Sequence, residues 1–66
     1  MQNYEIRVSG RLDEEWEEWF EGFTITYGEE NETVLTGPVT DQAALFGILN
    51  KLRNLGLQLL SVVPIE

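Results

Sequence analysis

Apolar and polar residues alternate at the start of the chain. Tyr4, Ile6 and Val8 take turns with Glu5, Arg7, Ser9 and Arg11, a period of two that predicts a half-buried strand over residues 3–11. Gly10 predicts a bulge or bend near its end. The spacing then changes. Leu12, Trp16, Trp19, Phe20 and Phe23 recur at helical intervals, which predicts one or two amphipathic turns across residues 13–21, stopped by Gly22. Its acidic first turn suits the positive end of a helix dipole, and a helix so short depends on packing of the Trp pair. Alternation resumes with Phe23, Ile25 and Tyr27 against Thr24 and Thr26, a second strand. The polar stretch from Gly28 to Glu32 reads as a hairpin connection. Thr33 to Thr36 forms a third strand, closed by Gly37-Pro38.

The last third, DQAALFGILNKLRNLGLQLLSVV from Asp41 to Val63, is a helix-then-strand unit with a marked start and stop. Thr40 or Asp41 caps the helix, since either side chain can accept from the free amides of the first turn. At about 100° per residue, Ala44, Leu45, Ile48, Leu49, Leu52 and Leu55 gather on one face. Leu45, Ile48, Leu52 and Leu55 are expected to pack against Ile6, Val8, Ile25 and Leu59. Lys51 and Arg53 fall in the last turns, where cations suit the dipole. Gly56 is the expected left-handed stop. Leu57 to Val63 is a fourth strand, ended by Pro64.

Strand, short helix, strand, strand, long helix, strand is the order of a small ferredoxin-like βαββαβ sandwich of the α+β class, with strand order 4-1-3-2. If the first helix is only a loop with a turn, the fold is a reduced βββαβ form, with one main helix on an antiparallel sheet. No repeat or linker interrupts residues 1–66, which read as one domain.

The segments Leu35-Thr36-Gly37-Pro38-Val39-Thr40-Asp41-Gln42-Ala43-Ala44-Leu45, Leu55-Gly56-Leu57 and Leu59-Leu60-Ser61-Val62, with Trp16, Trp19 and Phe20 upstream, resemble a family of short uncharacterised bacterial and archaeal proteins. The resemblance covers most of the chain and implies no activity.

Sixty-six residues bury only about 60% of the unfolded surface, and scaffolds of this size usually need a disulfide, a metal or a partner. Cysteine and histidine are both absent, which excludes the first and removes thiolate and imidazole ligands. Packing and self-association remain. The net charge is −8, and every charged residue from Asp13 to Glu32 is acidic. Phosphate contacts need clustered Lys and Arg, so neither nucleic acid nor an anionic membrane is an expected partner. A basic protein partner remains open. No apolar stretch approaches the ~20 residues of a membrane span, and a cytoplasmic location is the expectation.

The chemistry-bearing residue types are sparse. Glu14, Glu17, Glu18 and Glu21 share a helical face, but the alternating ligands and central glycine of a calcium loop are missing, so the row reads as a solvated face. Trp16 and Trp19, at helical spacing with Phe20 and Phe23, read as core. No serine or threonine has a base beside it, and no glycine cluster forms a phosphate loop. The expectation is therefore a protein that is not an enzyme, with no catalytic residue, no metal and no cofactor.

Five residues stand out as interface candidates: Arg7, Arg11, Phe46, Leu60 and Val62. Phe46 lies about 100° from the centre of the apolar helix stripe, on its flank. The last strand is apolar on both faces, with Leu57, Leu59 and Val63 on one and Leu60 and Val62 on the other. The second face, which no helix covers, is expected to carry Arg7, Arg11, Thr24 and Thr26 as well. The leading expectation is a homo-oligomeric interaction module joined through that open face, with edge pairing as the rival geometry. The alternative is a small regulatory domain, similar in architecture to ACT domains, binding an anionic ligand near Arg7 and Arg11.

Overall fold

The computed structural model describes residues 2–20 and 22–65, without the side chain of Glu14. Four strands, β1 (Gln2–Ser9), β2 (Thr24–Tyr27), β3 (Glu32–Val39) and β4 (Gln58–Ile65), form one sheet in the order β2-β3-β1-β4. All three pairings are antiparallel. This is the expected 4-1-3-2 order read from the other edge. One α-helix, α1 (Gln42–Asn54), crosses a single face. The full ferredoxin-like form is not reached: where its first helix belongs, the chain makes only a 3₁₀ turn over Glu14–Glu18. The fold is the reduced form, one main helix on an antiparallel sheet.

The helix follows its sequence signals closely. Asp41 is the cap, its Oδ1 accepting from the Ala44 amide at 2.8 Å, which decides against Thr40. At the other end Gly56 takes φ +82°. Its amide donates to the Arg53 carbonyl at 3.0 Å, and that of Leu57 to Leu52 at 3.2 Å, the paired bonds of a Schellman stop. Leu52 is fully inside, while Leu45, Ile48, Leu49 and Leu55 pack against the core from the margin.

That core lies between the sheet and the layer made by α1 and the 3₁₀ turn. Ile6, Val8, Ile25 and Leu35 come from the sheet, and Leu12, Phe20 and Phe23 from the segment that closes over β2 and β3. Gly37 makes the closure possible. A Cβ there would stand 2.7 Å from Phe23 Cγ and 2.8 Å from the Gly22 carbonyl oxygen, so only glycine lets that segment lie flat on β3.

Both prolines behave differently from expectation. Pro38 does not close β3, which runs on to Val39. β2 pairs only as far as Thr36, so beyond it β3 has a strand on one side and a missing N–H is tolerated. Pro64 likewise sits inside β4, opposite Tyr4. β4 is the sheet edge, where proline needs no second partner.

A bulge in β4 changes its faces. Arg7 pairs with Ser61, but Val8 pairs with Leu59, so Leu60 is the extra residue. One added residue reverses the alternation beyond it. Val62 therefore pairs with the buried Ile6 and packs against the core, rather than joining Leu60 on the open face. Val63, opposite Glu5, takes that place.

Candidate functional site

Two surfaces hold exposed large apolar side chains, and they lie at opposite ends of the sheet. The first is the β4 edge. Leu59 is 49% exposed, Leu60 46%, Val63 45% and, on the neighbouring flank of α1, Phe46 57%. Leu59 was expected among the core contacts. It does face the helix side, opposite Val8, but it sits beyond the cover that α1 provides. A recess of about 230 Å³ between helix and strand is lined by Leu49, Leu52, Arg53, Leu57 and Leu59. The strand itself, QLLSVVPI, contains no charged residue, and among the described residues only β1 pairs with it.

The open face of the sheet is more polar than the sequence suggests. Its centre is held by Arg7. The guanidinium donates to Glu5 Oε1 from Nε and to Glu32 Oε1 from Nη1, each at 3.2 Å. The hydrogen bond that Arg7 donates to Glu5, followed by the charge of Glu5 and then the hydrogen bond to Glu32, raises the Arg7 pKa above its ordinary value. Beneath it Val34, opposite both Arg7 and Thr26, is only 7% exposed. Arg7 thus shields apolar surface with its stem while its charge is matched.

Arg11 does not join Arg7. Its guanidinium carbon lies 4.3 Å from the centre of the Tyr27 ring, and Tyr27 packs against the core on the helix-bearing side. The two arginines have separate partners and make no shared anion pocket.

The second exposed surface surrounds the 3₁₀ turn. Trp16 packs partly on the core, but Trp19 is 47% exposed, which corrects its assignment to the core. A 3₁₀ turn eclipses residues three apart, so Trp19 stands beside Trp16 while Phe20 enters the core. The rings of Trp16 and Trp19 lie 4.9 Å apart, tilted by 49°. Lys51 from α1 places its ammonium 5.5 Å from the Trp19 ring centre and donates to the Trp19 carbonyl at 3.3 Å.

The carboxylate row does not gather here as one site. Glu17 Oε2 accepts from the Ile25 amide at 3.1 Å, latching the turn to β2. Glu21 and the Glu14 side chain lie outside the described residues. Among the described residues, no three acidic side chains come together as metal ligands would.

One residue with a structural role escaped the sequence reading. Thr33 is completely buried on the core side of β3. Its hydroxyl donates to the Gly10 carbonyl at 2.6 Å and accepts from the Leu12 amide at 3.0 Å. Tyr27 adds a bond from its hydroxyl to the Leu12 carbonyl at 2.7 Å. Together they pin the passage from β1 to the 3₁₀ turn, and so set where the Trp pair stands.

A family model described as "Domain of unknown function (DUF8691)" matches residues 3–63. The chain belongs to the DUF8691 family. The match covers β2, β3 and α1 in full and β1 and β4 except for their outer ends, so the DUF8691 unit is this sheet with its helix. No curated protein and no solved structure matches the chain. Among the described residues, no helix is long and apolar enough to cross a membrane.

Proposed function

We propose that this chain is a non-catalytic assembly module in which two copies pair along β4. The observation that carries the reading is the edge itself: eight residues, none charged, with Leu59, Leu60 and Val63 nearly half exposed. An edge strand offers a row of unpaired amides and carbonyls to any strand that arrives, and proteins that stay apart usually guard it with charges. Here the guards are Pro64, near one end, and the bulge at Leu60, with no charge among them.

An antiparallel β4–β4 contact is self-complementary, so a two-fold axis closes it and no free patch remains for further growth. It would bring Phe46 and Leu59 from each copy together on the helix side, and Val63 and Ile65 on the other. Electrostatics favours the same edge. The acidic run lies along the 3₁₀ turn and the β2–β3 connection, with none of it in β4, so pairing through β4 brings no acidic residue of that strand against another. The open face is a weaker candidate, because its centre is the matched Glu5–Arg7–Glu32 group. Anion binding near Arg7 and Arg11 has less support still, since one guanidinium is already neutralised and the other lies against Tyr27.

Light scattering coupled to gel filtration tests the reading. The expected mass is twice that of the chain at micromolar concentration, and a single-chain mass throughout would overturn it. Leu59→Lys with Val63→Lys should release monomers. Thr26→Lys, in the middle of the open face, should leave the mass unchanged. The reverse pattern would move the interface to the open face.

A further inference from the structure

We propose that the Trp16–Trp19 surface is a second docking site, for an arginine-bearing segment of a basic protein partner. The site is a recess of about 410 Å³ walled by Trp16, Trp19, Glu15 and Glu18. Trp16 and Phe20 make the core contact of the turn, whereas Trp19, set edge-on to Phe20 at 5.9 Å, remains 47% exposed. An indole left this open is surface of the kind that interfaces bury at their centre.

The chemistry of the walls selects a cation. Two indole faces meet at 49° with centroids 4.9 Å apart, and π-faces attract cations. Glu15 and Glu18 are exposed at the rim, and among the described residues the ion pairs all involve Arg7, so both rim carboxylates are unengaged. The molecule also supplies its own precedent. On the other side of Trp19 a recess of about 470 Å³ already holds a cation in cis, the Lys51 ammonium at 5.5 Å from the Trp19 ring and 5.8 Å from Phe20. A guanidinium fits the vacant wall better than an ammonium, because it is planar, stacks on indole and can bond a carboxylate through two N–H groups.

The occupant comes from a different protein rather than from a second copy. Each chain has four cations, Arg7, Arg11, Lys51 and Arg53. The first three are engaged with Glu5 and Glu32, with Tyr27 and with Trp19 respectively, and Arg53 stands beside the β4 recess, at the edge where the assembly reading pairs two copies. Two chains of net charge −8 also repel each other at this acidic end, whereas a basic segment is drawn to it.

The test is titration of the full chain with a short peptide of alternating arginine and glycine at about 0.1 M salt, where the screening length is about 10 Å. The readout is the pair of indole N–H resonances together with calorimetry. Saturable binding that shifts both indole signals is expected, with the lysine-for-arginine peptide binding more weakly. Trp19→Ala should weaken binding by about fivefold or more, the worth of a partly desolvated cation–π contact. Glu15→Gln with Glu18→Gln should weaken it further and flatten its salt dependence. A dispersed amide spectrum of each variant confirms that it folds. Absent binding, or equal affinity of wild type and Trp19→Ala, overturns the proposal, the second result reducing the contact to diffuse charge attraction. The assembly reading stands or falls separately, because Trp19→Ala should not alter the mass of the particle.

Discussion

Replacing Thr33 by valine is the sharpest probe of how the chain holds its 3₁₀ turn in place. Valine has nearly the same shape, so the core keeps its packing and only the hydroxyl goes. Two bonds go with it, one to the Gly10 carbonyl at 2.6 Å and one from the Leu12 amide at 3.0 Å. Leu12 is 3% exposed, so its amide is stranded away from water, at about 1–3 kcal/mol. Gly10 is only half-buried, and water can reclaim part of its carbonyl's loss, which adds about 0.5–1 kcal/mol. The sum is about 1.5–4 kcal/mol, and cores of this size rarely supply more than about 3–5 kcal/mol. Urea unfolding at one fixed protein concentration measures it. With a slope of about 1 kcal/mol/M, the midpoint should fall by about 1.5 M or more. Thr33→Ser keeps the hydroxyl, removes one methyl, and should lose about 1 kcal/mol. A valine variant within about 0.5 kcal/mol of wild type, or a serine variant less stable than it, would refute the reasoning.

Three further substitutions test the packing and the turns by the same unfolding assay. Leu52→Ala removes the one fully buried side chain of α1 and should cost about 2–5 kcal/mol. Gly37→Ala would press a methyl to within 3 Å of the Gly22–Phe23 backbone and should destabilise by about 1–3 kcal/mol. Glu30 and Asn31 both hold positive φ, 51° and 66°, in the β2–β3 connection. Glu30→Gly should therefore stabilise the chain or leave it unchanged, by up to about 1 kcal/mol, and a clear loss of stability would mean that the turn is built differently.

Much of the fold was legible because its signals are local. The Asp41 cap, the Gly56 stop and the apolar stripe of α1 lie within one stretch of sequence and act on the elements beside them. The strand order was legible too, through the alternation of strands and helical segments. What the sequence hid depends on neighbours far along the chain. Pro38 and Pro64 look like strand ends, yet each lies where the sheet has a partner on one side only. The bulge at Leu60 exists only in the pairing of β4 with β1, and it exchanges the roles of Val62 and Val63. The spacing of Trp16, Trp19 and Phe20 suits a helix in general. Phe23 lies on Gly37 and the Thr33 hydroxyl holds Gly10 and Leu12, contacts made by distant residues, and the segment between them forms a 3₁₀ turn with Trp19 outside. Arg7 and Arg11 look paired on a strand pattern, but β1 ends at Ser9, and Arg11 follows the chain to Tyr27.

Amide exchange along β4, measured at several protein concentrations, decides whether this edge is paired between copies. In a lone chain, outward amides of an edge strand exchange freely because no acceptor covers them. Pairing through β4 gives protection in the Leu59–Val63 stretch that rises with concentration, while the outward amides of β2, the other edge, stay unprotected. Unprotected β4 amides at every concentration, or concentration-dependent protection centred on β2 instead, would contradict it.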